Sequence, residues 1–160
     1  MRGRLREPGV YLLIINVESD CEIHTRGRKI FNIRRGMYIY VGSALRGLES
    51  RIRRYLEKKF MIRQHWHIDY LLSRCRSKII HILCSSLTNY DLNIRAEILL
   101  SFTLSSVRYL RPVHGFGATD IRHLRSNLYY IDCEKSLEEI IDDLKEILNT
   151  LFRNVIELEQ

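Results

Sequence analysis

The segment Met37-Tyr-Ile-Tyr-Val-Gly-Ser-Ala-Leu-Arg-Gly-Leu-Glu-Ser-Arg-Ile-Arg-Arg-Tyr55 decides the fold, because it predicts a strand, a short loop and a helix in direct succession. Met37 to Gly42 is almost entirely apolar or aromatic, as in a buried strand. Leu48 to Phe60 then carries apolar residues at helical spacing. An earlier run, Val10 to Val17, is apolar and β-branched, which predicts a strand buried on both faces.

The rest of the chain adds further strands and helices. We expect a hairpin from Cys21 to Ile33, a helix over His65–Arg74, a strand over Lys78–Cys84 closed by a turn at Ser85-Ser86, a helix over Asn93–Leu104, a strand over Asn127–Ile131 and a last helix that begins with a Ser136/Glu139 capping box. This pattern predicts an α/β fold, with a small antiparallel or mixed central sheet flanked by helices and a C-terminal amphipathic helix.

The length of 160 residues suits one folded unit with a real core. We expect residues 1–132 to form the main domain and residues 133–160 to form an acidic helical extension packed on it. Two alternatives stay open for the extension: a dimer interface, or a cover over a basic groove. The sequence therefore allows either a monomer or a homodimer.

Charge is unevenly distributed along the chain. Residues 1–131 carry 23 basic against 10 acidic side chains, whereas residues 132–160 carry 3 against 9. Of the 26 basic residues 20 are arginine, whose planar guanidinium suits phosphate. A basic body with a separate acidic tail indicates a polyanionic partner.

The cysteines and the first apolar run indicate the cellular compartment. Cys21, Cys75, Cys84 and Cys133 form no C-x-x-C pair, so we expect thiols rather than a disulfide framework or a zinc site. The run from Val10 to Val17 is too short to span a bilayer. We therefore expect a cytoplasmic protein without membrane association.

Four side chains suggest phosphodiester chemistry. Tyr11 and Tyr40 lie on the two predicted strands and can form a cross-strand pair if those strands are neighbours. Arg51 and Tyr55 are one helical turn apart and share a face. A guanidinium can hold a scissile phosphate, and a phenol made acidic by nearby cations can take a proton from water.

The same positions resemble a known family. Gly9-Val10-Tyr11, Tyr40-Val41-Gly42, Arg51, Tyr55 and Glu97 are similar, in order, to the signature of the GIY-YIG nuclease superfamily. A stand-alone branch of it, common in archaea and long without a known function, is the nearer resemblance, through Tyr38–Ala44, Gly47–Ile52, His65–Leu72 and Gly115–Gly117.

The resemblance implies a metal-dependent endonuclease that hydrolyses DNA. Tyr11 or Tyr40 would be the general base, Arg51 and Tyr55 would contact the phosphate or the nucleophile, and Glu97 would hold one Mg²⁺ or Mn²⁺. The residues expected to contact nucleic acid are Gly42, Arg46, Arg53, Arg54, His65 and His67. Relatives of this branch can be fused to a base-excision enzyme, so repair or recombination, with a repair protein as partner, is implied.

Some features leave alternatives open. His65, His67 and Asp69 would not converge on a metal from a helix, and the glycines at 115 and 117 could bind phosphate or form a plain turn. At the spacing where many such nucleases carry an asparagine this chain has Tyr109. After Gly117 the chain keeps the aspartate of the branch as Asp120 but has Ile121, and Asn127 stands where a histidine is expected. A non-catalytic nucleic-acid-binding module is therefore the alternative function, and RNA is a weaker alternative to DNA.

Overall fold

A six-stranded antiparallel sheet forms the centre of the molecule in the computed structural model, which describes residues 4–61, 63–87, 93–117, 126–152 and 154–159. The elements are β1 (Gly9–Val17), β2 (Cys21–His24), β3 (Ile30–Ile33), β4 (Gly36–Ala44), α1 (Leu48–Leu56), α2 (His67–Arg74), β5 (Ser77–Ser86), α3 (Asn93–Ser105), β6 (Leu110–Pro112), β7 (Leu128–Ile131), α4 (Leu137–Phe152) and β8 (Val155–Glu159). Short 3₁₀ turns cover Arg4–Arg6 and Lys59–Met61.

The strand order is β6-β7-β4-β1-β5-β8, so β1 lies inside the sheet between β4 and β5. Tyr11, Leu13 and Ile15 of β1 pack on one face with residues of α1, α2 and the β2–β3 hairpin. Leu12 and Ile14 pack on the other face with residues of α3 and α4. The prediction of an α/β fold with helices around a central sheet is confirmed, and every strand pair is antiparallel.

The predicted hairpin is present as β2 and β3, which form a separate two-stranded sheet. The turn predicted at Ser85-Ser86 is wrong, because both residues belong to β5 and pair with Val10 and Gly9 of β1. Helix α1 ends at Leu56, four residues earlier than expected. Lys58 takes a positive φ of 51° just after it, and this left-handed conformation stops a helix.

The extension after residue 132 contains both a helix and a strand. The expected capping box is present, since the Ser136 backbone N–H donates to Glu139 and the Glu139 backbone N–H donates to the Ser136 hydroxyl. The buried stripe of α4, which includes Ile140, Leu144 and Leu148, packs against the sheet. β8 follows α4 and pairs with β5 at the edge of the sheet.

A disulfide joins Cys21 of β2 to Cys75 at the end of α2. The expectation of four thiols was wrong for this pair, because the hairpin packs beside α2 and brings together two cysteines 54 residues apart. Cys84 is a buried thiol and Cys133 an exposed one. No helix within the described part of the chain has both the length and the apolar character needed to cross a membrane.

Candidate functional site

An open cavity of about 680 Å³ lies where the C-terminal end of β4 meets the start of α1. Its wall is formed by residues from β1, β4, α1, α3 and the loops around them. The lining residues include Tyr11, Tyr40, Gly42, Ser43, Arg46, Arg51, Arg54, His65, Trp66, His67, Glu97, Gly117 and Asn127. This volume lies in the range of about 300–1,000 Å³ that is usual for ligand sites.

Tyr11 and Tyr40 lie on the same face of the sheet. Strand register places Tyr11 opposite Gly42 and Tyr40 opposite Leu13, so the two phenols are diagonal neighbours with ring centroids 6.4 Å apart. A Cβ at position 42 would lie 2.3 Å from the Tyr11 ring. Gly42 therefore provides the space in which the Tyr11 side chain lies.

Tyr55 lies behind Tyr11 and does not line the cavity. Its hydroxyl is 2.9 Å from the Tyr11 hydroxyl, in a buried hydrogen bond, and their ring centroids are 5.8 Å apart. The sequence led us to expect Tyr55 to contact the phosphate or the nucleophile. Its position instead makes it a partner of Tyr11.

All three phenols are held in the protonated form by burial. Desolvation raises the pKa of Tyr11 to about 12, although the Arg51 charge and the hydrogen bond with Tyr55 act in the opposite direction. Desolvation and the neighbouring Tyr11 raise the pKa values of Tyr40 and Tyr55 well above their usual value.

Arg51 projects from α1 into the cavity wall. Its guanidinium carbon lies 4.0 Å from the centroid of the Trp66 ring, a cation–π distance. Arg54, on the same helix, has a different role. Its guanidinium donates to the Asp69 carboxylate at 2.7 Å and to the Arg63 carbonyl at 2.6 Å. Arg54 is thus bound to protein groups, whereas Arg51 faces the cavity.

Glu97 of α3 carries its carboxylate into the cavity between two polar neighbours. The Ser43 hydroxyl donates to one oxygen, and the Asn127 amide donates to the other at 2.9 Å. The Asn127 Oδ1 atom is buried and lacks a hydrogen-bond partner among the described residues. Carboxylate, hydroxyl and amide oxygens form a hard donor set of the kind that Mg²⁺ prefers.

The described residues contain no group of three or more His, Cys, Asp or Glu side chains that could enclose an ion. A site built on Glu97 would therefore leave most of the coordination shell to water and substrate oxygens, as is usual for Mg²⁺. The Asn127 amide meets Glu97 through its Nδ2 atom and so orients the carboxylate, and its buried Oδ1 atom is a further oxygen of the same side chain without a partner among the described residues, which fits such an ion. Glu97 and Asn127 are the residues that would hold it.

The region around α2 forms the opposite wall. The His67 Nδ1 atom accepts the Gly117 backbone N–H at 2.9 Å, and burial lowers the pKa of His67, with the Lys29 charge acting in the same direction. His67 is thus a neutral imidazole packed on Phe31 and Phe116. The Gly117 N–H, one possible phosphate donor, is committed to His67.

Asp69 is fully buried and has a structural role. Its Oδ2 atom accepts the backbone N–H groups of His65 and Trp66 at 2.8 and 3.0 Å, and the Arg54 guanidinium. This satisfies donors at the start of α2. Asp69 thus binds backbone N–H groups and Arg54.

The other predicted nucleic-acid contacts divide into two groups. Gly42, Arg46 and His65 line the cavity, with Arg46 and His65 exposed at its rim. Arg53 does not line it and instead pairs along α1 with Glu49 at 2.8 Å and with Glu57 at 3.8 Å.

Ser43, Trp66 and Asn127 are cavity residues that the sequence did not single out as site residues. Asn127 reaches Glu97 because β7 pairs with β4, so the Asn127 carbonyl accepts the Val41 N–H at 2.8 Å. Tyr109, at the spacing where an asparagine was expected, donates to Asp143 on α4. Asp120 and Ile121, two further positions of interest, lie outside the described residues.

Comparison with known proteins gives one match. Residues 10–150 match the family model described as "Domain of unknown function DUF123", and the chain belongs to this family. No curated protein matches the chain, and no solved structure matches it. The matched range includes Tyr11, Tyr40, Arg51 and Glu97.

Proposed function

We propose that this member of the DUF123 family is a divalent-metal-dependent endonuclease that hydrolyses DNA phosphodiester bonds, as its resemblance to the GIY-YIG nucleases implies. One observation carries the proposal. Tyr11, Tyr40, Arg51 and Glu97 are distant in the sequence and yet line the same open cavity. A base, a cation for phosphate and a ligand for a metal ion are the groups that this hydrolysis requires.

Tyr11 is the proposed general base. As a phenolate it takes a proton from water while the water oxygen bonds to phosphorus and the bond to the 3′-oxygen breaks; the leaving oxygen takes up a proton from solvent. Tyr11 is chosen over Tyr40 because the Tyr55 hydroxyl on α1 positions its phenol. Tyr55 supports it through the 2.9 Å hydrogen bond between the two hydroxyls.

The two remaining roles, binding the phosphate and holding the metal ion, belong to Arg51 and Glu97. Arg51 has no carboxylate partner among the described ion pairs, so its charge is available for a non-bridging phosphate oxygen. Glu97, with Asn127 beside it, would hold Mg²⁺ or Mn²⁺, which when bound supplies Lewis-acid stabilisation of the phosphoryl and leaving oxygens.

A basic body of +13 over residues 1–131 favours a nucleic acid as substrate. DNA rather than RNA, and a role in repair or recombination beside a repair protein, follow from the resemblance and are part of the proposal. Action in the cytoplasm is also proposed, because the first apolar run is too short to span a bilayer. One observation favours the alternative, a module that binds nucleic acid without cutting it: burial raises the pKa of all three tyrosines.

The test is cleavage of labelled duplex, nicked, flap and branched DNAs with Mg²⁺, with Mn²⁺ and with a chelator. Glu97→Gln and Arg51→Ala should each lower the rate by at least about 100-fold, in the range known for single electrostatic groups. Glu146→Gln and Arg76→Ala, which alter exposed residues outside the cavity, should leave the rate unchanged. Salt-sensitive binding without metal-dependent cutting of any of these DNAs would support the binding module instead.

A further inference from the structure

Trp66 forms an exposed aromatic surface at the mouth of the cavity. It immediately precedes α2, lines the cavity and keeps 38% of its surface exposed. The Arg51 guanidinium carbon lies 4.0 Å from its ring centroid, and the His65 ring meets it edge-on at 4.6 Å. A large π surface with the Arg51 guanidinium over its ring thus lies next to the proposed phosphate site.

The position of Trp66 is fixed by buried groups. Its backbone N–H and that of His65 both donate to the fully buried Asp69 carboxylate. Asp69 in turn is paired with Arg54, whose side chain is 18% exposed. Because its backbone is held in this way, the indole is presented to the cavity by a rigid support.

An unpaired nucleobase is the ligand that this surface fits. Bases stack on exposed aromatic rings, and neighbouring arginines hold the phosphates of the same strand. A base inside a duplex is already stacked on both sides and has no free face for an indole. The other phenyl and phenol rings near the cavity, those of Tyr11, Tyr40 and Phe116, are buried and offer no such face.

We propose that Trp66 stacks on an unpaired nucleobase adjacent to the phosphate held by Arg51. On this basis the substrate class is DNA with single-stranded or flap segments, in preference to continuous duplex. This inference rests on the proposed function, since it names the substrate class of the same cavity. Trp66 is a specificity-determining residue on this view, separate from the groups that perform the hydrolysis.

The chain offers a direct measurement, because Trp66 is its single tryptophan. Fluorescence excited at 295 nm therefore reports on this side chain alone. A 12-nucleotide single strand, a flap DNA and a fully paired duplex are titrated into the protein in chelator, while anisotropy of an end label measures binding independently. The single strand and the flap should quench the indole on binding, and the duplex should bind without comparable quenching.

Variants distinguish base stacking from mere support of Arg51. Trp66→Ala should weaken binding of the single strand about 5- to 100-fold, as loss of one stacked base does, with little change for duplex. Trp66→Phe keeps a π face and should recover most of the affinity, whereas Trp66→Leu should not. Phe102→Ala removes an aromatic ring that is 65% exposed and outside the cavity, and should change neither binding nor quenching.

Two results would overturn the inference: anisotropy that rises while Trp66 fluorescence stays constant, or an equal loss of single-strand and duplex affinity in Trp66→Ala. Failure of the proposed function has a different signature. In that case quenching and discrimination remain in chelator, and no DNA is cut when metal is added. Cutting that needs Glu97 but is indifferent to Trp66 would instead leave the nuclease in place and reject the stacking site.

Discussion

Gly42→Ala tests whether the Tyr11 side chain occupies the space beside β4. The added Cβ would lie 2.3 Å from the Tyr11 Cζ and hydroxyl atoms, so the phenol must move. The backbone conformation at position 42 is compatible with alanine, because Gly42 does not have a positive φ. The cost therefore comes from displacing one ring.

The magnitude follows from three contributions. Overpacking of a core costs about 1–3 kcal/mol, and displacing Tyr11 from its 2.9 Å hydrogen bond leaves the buried Tyr55 hydroxyl unpaired at a cost of about 1–3 kcal/mol. Alanine has less conformational freedom than glycine in the unfolded chain, and this stabilises the folded state by about 0.4–1 kcal/mol. We expect the free energy of unfolding to fall by about 2–4 kcal/mol.

Urea denaturation measures this change, alone and in a Tyr11→Leu background. A loss of 3 kcal/mol lowers the midpoint by about 1 M if the m-value is about 3 kcal/mol/M. Leucine lacks the ring and the hydroxyl that the new Cβ would meet, so Gly42→Ala should cost less than about 1 kcal/mol beside it. The expected coupling energy is thus about 2 kcal/mol or more.

Gly27→Ala is the matched control, because its Cβ would meet only the Thr25 hydroxyl oxygen, at 3.9 Å. It should change stability by about 0.5 kcal/mol or less. Equal costs of Gly42→Ala in the two backgrounds would refute the placement of Tyr11 against Gly42.

Three further predictions concern ionisation, the disulfide and the cavity asparagine. The folded-state pKa of Tyr11 is about 12, above its unfolded value of about 10. The unfolded chain therefore loses the proton first as pH rises, so stability should fall by about 2 kcal/mol between pH 10 and 12, and less steeply in Tyr11→Phe. Replacing Cys21 and Cys75 by serine opens a loop of 54 residues and should cost about 4 kcal/mol by chain entropy, measured by urea denaturation. Asn127→Ala removes a donor to Glu97 at 2.9 Å and should weaken Mn²⁺ binding about 10-fold or more, measured by calorimetric titration.

Each of these has its own contrary result. An alkaline transition of the same steepness in Tyr11→Phe would show that other groups govern it. Cys133→Ser, which alters an exposed free thiol, serves as control for the disulfide variant, and equal stability of the two would argue against the bond. Unchanged Mn²⁺ affinity in Asn127→Ala would place the ion away from this amide.

Local sequence patterns predicted the fold well wherever the burial of a strand or helix could be inferred from its own residues. The continuous apolar run of β1 correctly indicated burial on both faces, since each face packs against its own helices. A pairing of Tyr11 with Tyr40 was expected only if their strands were neighbours, and the pairing of β1 with β4 meets that condition. Their diagonal offset could not be predicted, because it depends on the register that places Tyr11 opposite Gly42.

The errors involve contacts between distant segments. Cys21 and Cys75 meet only because the β2–β3 hairpin lies beside α2. β8 alternates apolar and acidic residues, as a half-buried strand does, but this pattern does not identify β5 as its partner. Asn127 is 30 positions from Glu97 and reaches it through the pairing of β7 with β4. No local spacing carries such information.

Tyr11 belongs both to the hydrophobic core and to the cavity wall. Its substitutions therefore have to be measured for stability and for cleavage separately. Its ring is almost fully buried among core residues, so replacing it by a small side chain would perturb the fold as well as the chemistry. The hydroxyl alone meets Tyr55. Tyr11→Phe keeps the ring and leaves Tyr55 without that partner, so its cost in stability should be near the 1–3 kcal/mol of one unsatisfied buried group. A far larger loss of cleavage than of stability in that variant would assign the hydroxyl to the reaction, whereas a proportionate loss of both would assign it to the core.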